Sequence, residues 1–172
     1  MSTTVTTSPL GHAIQGSRRV LVAGMGSEYR RDDGAGPAAV ALVAQQCPGV
    51  TVVGPLDDPL DLLGLWDGVD LAVVVDAVSS GSPPGTVQLV ELDPSASKPG
   101  RAGGTSSASS THGIGLAGVY RLARAIERAP SRLVVVGIEG SDFGQGVGMT
   151  PAVEEGVVHA ARHVTEMIRE VS

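Results

Sequence analysis

A chain of 172 residues suits one domain with a sizeable core, and a hydrophobic content of 42% excludes a disordered polypeptide. Aromatic residues at 2% leave that core to Val, Leu, Ile and Ala and remove the stacking platform that single-stranded nucleic acid requires, while a net charge of −6 argues against any nucleic-acid partner. One cysteine, Cys47, excludes an internal disulfide and a Cys-based zinc site.

Residues 1–18 are rich in Ser and Thr, with no basic n-region and no long apolar run. They read as a disordered lead and not as a signal peptide. No apolar stretch approaches the ~20 residues of a membrane span, so the cytoplasm is the expected compartment. Residues 19–172 are expected to form a single α/β domain.

Its first element is a short buried strand, Val20 to Ala23, followed by the glycines Gly24 and Gly26 and a charged loop holding Glu28, Arg30, Arg31, Asp32 and Asp33. Gly34 to Gln46 is predicted to be a helix with Pro37 in its first turn, ended by Pro48-Gly49, with Cys47 a structural residue at that end. Val50 to Val53 is the second strand, completing a βαβ unit with a parallel pair. Leu60 to Trp66 reads as a short helix begun near Asp58-Pro59, with Leu60, Leu62, Leu63 and Trp66 as one apolar stripe.

Asp70 to Ala77 is the strongest strand; its consecutive apolar residues imply burial on both faces, and Asp76 closes them. After a turn at Ser79 to Gly85, Thr86 to Leu92 alternates as a half-exposed strand does. Residues 93–111 are poor in apolar side chains and read as a flexible loop. His112 then opens a helical pattern that runs from Gly113 to Ala129. Leu133 to Ile138 is a further buried strand, followed by a Gly-rich loop containing Asp142. The last helix has Thr150 as N-cap, Pro151 at its first position and a stripe through Val153, Val157, Ala160, Val164 and Ile168. His159 and His163 fall on its polar face and are expected to be solvated. The order β-α-β-α-β-β-α-β-α describes a three-layer αβα sandwich with a mostly parallel sheet of about five strands.

In an open α/β sheet, ligands sit beyond the carboxyl ends of the strands. Asp33, Asp76 and His112 are the polar candidates there. Each also has a plain structural reading: Asp33 as a helix cap, Asp76 as the organiser of the next turn, His112 as a surface or capping residue. Read as a set, two carboxylates and an imidazole suit a divalent transition metal such as nickel or zinc with open positions, or acid–base work on water. The chain lacks the nucleophile elbow G-x-S-x-G and the P-loop. A lone G-x-G after the first strand leaves a nucleotide- or metabolite-binding module as an alternative.

The segments VLVAGMGSEYRRDDGAG, VVVDA, STHGIGL and VVGIEGSDFGQGVGMTPAV, in this order, resemble the hydrogenase maturation proteases over about residues 19–170. The resemblance implies a three-layer αβα endopeptidase, phosphorylase/hydrolase-like in fold, that trims the C-terminal extension of the nickel–iron hydrogenase large-subunit precursor. It implies that Asp33, Asp76 and His112 are the catalytic and metal-binding residues. Nickel already loaded into the precursor would be the recognition mark, although other divalent metals fit the same ligands. The attacking group would be a water activated by the metal or by an Asp carboxylate. A non-catalytic large-subunit-binding chaperone is the other alternative within this resemblance. Where the family usually has Asn after G-x-G, this chain has Ser27.

Overall fold

The computed structural model describes residues 18–93 and 115–172. The N-terminal lead apart from Arg18, the 93–111 loop apart from Asp93, and His112 lie outside the described residues. Five strands, β1 (Val20–Met25), β2 (Thr51–Leu56), β3 (Leu71–Val78), β4 (Val87–Glu91) and β5 (Arg132–Glu139), form one sheet in the order β2-β1-β3-β5-β4. β1, β2, β3 and β5 are parallel, and β4 runs antiparallel to β5 at one edge. The α-helices are α1 (Ala35–Gln46), α2 (Leu116–Ala125) and α3 (Pro151–Val171).

The two faces of the sheet are sorted by the two-residue pleat. Val20 and Val22 of β1, Leu71, Val73 and Val75 of β3, and Val134, Val136 and Ile138 of β5 pack against α1 and α3. Leu21, Ala23 and Met25, Ala72 and Val74, and Leu133 pack on the other face against Leu62, Trp66, Val119, Tyr120 and Ala123. β3 is buried from Leu71 to Val75, as its unbroken apolar run requires. Each fully buried valine there contributes about 1.5 kcal/mol or more relative to exposure. Trp66 is a core residue, set edge-on to Tyr120 with ring centroids 6.1 Å apart.

Four local expectations are corrected. The segment from Pro59 to Gly64 is a 3-10 helix, capped by the Asp58 carboxylate on the Leu60 N–H at 2.9 Å. With three residues per turn in place of 3.6, Leu62 is buried while Leu60 is 39% exposed and leaves the predicted stripe. β2 continues past Val53 to Leu56 through Gly54-Pro55, which a sheet-edge strand tolerates. β4 does not alternate in exposure: Val87 packs against the core at its start, while Leu89 and Val90, successive residues of this edge strand, are both exposed. α2 ends at Ala125, with Ile126 as its C-cap, and not at Ala129; Val119, Tyr120 and Ala123 are buried while Leu122 and Ile126 are exposed.

β1 runs on past Ala23 through Gly24 to Met25, and the other elements match the sequence reading to within a residue or so at their ends. Pro37 lies in the first turns of α1, Cys47 is its buried C-cap, and α3 buries Val153, Val157, Ala160, Val164 and Ile168. His159 and His163 are exposed, with His163 Nδ1 3.9 Å from Glu166.

Candidate active site

The parallel strands β1, β3 and β5 end along one edge of the sheet, and the chain leaving each end supplies the polar groups there. Asp76 sits near the end of β3, half-buried and opposite Gly137 of β5. The β1–β3 register pairs Gly24 with Val75, so Asp76 stands one step further, level with Met25. The pleat that turns Ala72 and Val74 toward α2 turns Asp76 to the same face.

After Met25 the chain turns at Gly26 and enters a 3-10 turn, Arg31–Gly34, before α1. Asp33 lies in that turn with its side chain 19% exposed, and its Oδ2 accepts a 2.9 Å hydrogen bond from the Ser27 N–H. The Arg30 guanidinium lies 3.9 Å from the same oxygen. The Asp33 carbonyl fills the space a Cβ on Gly26 would need, and Gly26 has φ +111°. These contacts fasten Asp33 to the end of β1, the strand beside β3. The structure thus brings Asp33 and Asp76 to neighbouring strand ends. Among the described residues no group of three metal-ligating side chains is assembled.

The capping reading does not hold for Asp33. The N-cap of α1 is Gly34, with no side-chain hydrogen bond. Thr150 is the N-cap of α3 as predicted, but its hydroxyl accepts no hydrogen bond from its own helix and donates to Asp32 Oδ2 at 3.1 Å.

Two residues that the sequence reading did not single out prove central. Asp32 is fully buried. Its Oδ2 accepts from the N–H groups of Ser141 and Asp142, both at 2.9 Å, and its Oδ1 from the Thr150 N–H at 2.7 Å. Glu139, the last residue of β5, is 2% exposed. It accepts from the Ser80 and Gly81 N–H groups at 2.8 and 2.9 Å and from the Ser80 hydroxyl at 2.7 Å, shaping the turn that follows β3. In the sequence Asp32 is marked only as half of the doublet Asp32-Asp33, and Glu139 only by its place at a strand end.

Burial alone would raise the Asp32 carboxyl, but the Thr150, Ser141 and Asp142 N–H groups and the Thr150 hydroxyl outweigh it and hold the group below its ordinary value of 3.8. The unfolded chain therefore takes up this proton more readily than the folded one. The stabilisation is complete above the unfolded pKa and is lost as pH falls through the lower folded value. Denaturant melts should accordingly show stability falling below about pH 4, and Asp32→Asn should lack that part of the decline. Equal slopes for the two proteins across that window would contradict the assignment.

The glycines after β1 serve the packing of the chain on itself. A Cβ on Gly24 would lie 2.9 Å from the Gly36 and Pro37 backbone, and the Ser27 N–H is already given to Asp33. A phosphate cradle needs such N–H groups free, so the nucleotide-binding alternative loses its main feature.

Comparison with known proteins agrees with this architecture. Residues 47–167 match the sequence model of the hydrogenase maturation proteases, HycI. The hydrogenase expression/formation protein HupD of Thiocapsa roseopersicina is 32% identical over 155 residues, spanning 83% of this chain and 68% of the relative. Among solved structures, the hydrogenase maturating endopeptidase HybD from E. coli superposes with a TM-score of 0.69 at 26% identity, covering 88% of this chain and 93% of that one. The [NiFe] hydrogenase maturation protease HycI from Thermococcus kodakarensis, at 23% identity and a TM-score of 0.68 over 90% of this chain and 95% of that one, shares the fold. A five-stranded, mostly parallel sheet with helices, a sequence-model match over most of the chain and a relative of this identity lead to one conclusion: the chain belongs to the hydrogenase maturation protease family and is a peptide hydrolase by class.

Proposed function

We propose that this chain is an endopeptidase that removes the C-terminal extension of a nickel–iron hydrogenase large-subunit precursor, and that Asp33, Asp76 and His112 grip the nickel which that precursor already carries. The observation that carries the reading is the seating of Asp33 and Asp76 at the carboxyl ends of the adjacent parallel strands β1 and β3. Two carboxylates and an imidazole are an acceptable O,N donor set for nickel, with positions left for the substrate's own ligands.

His112 precedes Gly115, the N-cap of α2, by three residues, a span of at most about 10 Å. β5 starts at the amino ends of the strands, and only residues 126–131 join it to the end of α2. This favours a helix whose first turn points toward the carboxyl ends, where the two aspartates lie.

In this reading nickel belongs to the substrate. An enzyme whose three ligands gain a partner only when the metal is loaded discriminates nickel-loaded from nickel-free precursor by that difference in affinity. A water beside one of the two carboxylates is the attacking group. The test is intact-mass measurement of purified precursor after incubation with this protein. One C-terminal cut in the nickel-loaded form, with the nickel-free form left whole, is expected. Equal cleavage of both forms would remove nickel as the mark. Binding of the precursor without any cut would indicate a non-catalytic chaperone.

A further inference from the structure

Asp32 is a carboxylate with no exposed surface, and burying a charge is costly unless every acceptor site is met. What it touches is specific. Besides the three N–H groups already named, its Oδ2 is 3.3 Å from the Ser141 hydroxyl and 3.1 Å from that of Thr150. Its own N–H donates to the Asp142 carbonyl at 2.9 Å. All of these partners belong to one segment, residues 141–150, which contains Gly144, Gly146 and Gly148 and has no helix or strand of its own.

The same two segments are joined again on the outside. The Arg31 N–H donates to the Gly146 carbonyl, and the Gly146 N–H to the Tyr29 carbonyl, both at 2.9 Å. Arg31 takes a left-handed conformation, φ 53°, where the turn bends between these attachments. Residues 29–33 are therefore held on one side by the 141–150 segment and on the other, through Asp33 and Ser27, by the end of β1. Asp32 faces the first and Asp33 the second, since consecutive residues of a 3-10 turn point about 120° apart.

We propose that Asp32 is a positioning residue: its buried carboxylate clasps the 141–150 segment against the Arg31–Gly34 turn and so fixes the place of Asp33. The proposal rests on the reading of Asp33 as a substrate-metal ligand. Asp32 touches no reacting group; it acts through Asp33. Replacing it by Asn keeps the size but turns one acceptor oxygen into an N–H donor facing other donors, so the clasp opens on at least one side.

The experiment compares wild type with Asp32→Asn by two independent measurements. The first is cleavage of nickel-loaded precursor, at a temperature where both proteins are folded by circular dichroism. The expected result is kcat lowered about 10–100-fold, the scale for an ångström-sized misplacement, with KM changed less than about threefold. A kcat per folded molecule equal to wild type would overturn the proposal and leave Asp32 a stabilising residue only. The second is amide hydrogen exchange of the free enzyme, which needs no substrate. Residues 27–34 and 141–150 should lose protection together while β3 and α3 keep theirs. Loss confined to 141–150, with 27–34 unchanged, would also overturn it. Should wild type fail to cleave any precursor, the functional reading falls, and hydrogen exchange still decides whether Asp32 holds the Asp33 turn. If Asp32→Asn does not fold, Thr150→Val removes one hydroxyl donor from the clasp and should give the same kcat-only change at smaller size; an unchanged kcat there would count against the clasp.

Discussion

Asp76→Asn is expected to reduce cleavage of a nickel-loaded precursor by at least about 100-fold while leaving the protein folded. Removing a group that merely supports a metal ligand typically costs 10–100-fold, and loss of a ligand's charge should exceed that. The substitution preserves shape, and the residue stands past the fully buried stretch Leu71–Val75 of β3, so the apolar core is untouched. Its backbone remains fixed by the ladder with β5, where it faces Gly137. Asp33→Asn should have a comparable effect for a related reason. An Asn there still accepts a hydrogen bond from the Ser27 N–H through its carbonyl oxygen, so the turn is kept and only the charge is lost. Intact-mass time courses, with thermal melts of each variant beside them, separate activity from stability. Near-wild-type cleavage by both variants would remove the two aspartates from the site, whatever the family membership of the chain.

The sheet was legible because its signals are local. An unbroken apolar run such as LAVVV has few other places to go than the middle of a parallel sheet, and Thr150-Pro151 marks a helix start by backbone chemistry alone. Family membership was legible from four separated segments, each tied to the end of a strand or the start of a helix. What stayed hidden were the side-chain partners across the chain. Asp32 and Asp33 are the same residue type one position apart, and nothing in their spacing says which one turns inward. That is decided by residues more than a hundred positions away, Ser141, Asp142 and Thr150. Glu139 is the same case, since its partners Ser80 and Gly81 belong to the turn after another strand. Leu60 failed for a local reason: a 3-10 helix changes the period on which the stripe was counted.

Gly36 is where the fold and the site depend on each other most closely, and substitution there is expected to be severe. It lies in the first turn of α1, fully enclosed, and a Cβ built on it would run into the carbonyl of Met25 and lie 2.5 Å from that of Val75. Both obstacles are backbone, one on β1 and one on β3, so no side chain can swing aside. The helix can approach the ends of these two strands only because this residue has no Cβ. Gly24 makes the reciprocal requirement from the sheet side, against the backbone of Gly36 and Pro37.

Gly36→Ala should therefore force α1 away from the sheet and cost about 3 kcal/mol or more, the upper part of the overpacking range. In a chain of this length that corresponds to a fall of roughly 6–12 °C in melting temperature. Because the turn carrying Asp33 leads directly into α1, the displacement should also lower cleavage in whatever fraction remains folded. Gly64→Ala is the matched control: Gly64 ends the 3-10 helix with open space where its Cβ would go, and its melting temperature should stay within about 2 °C of wild type. Differential scanning calorimetry of the two variants distinguishes the cases. A Gly36→Ala protein that melts with the Gly64→Ala control would mean that α1 can shift outward at little cost, and the close seating of the helix against β1 and β3 would then not be what holds the Asp33 turn in place.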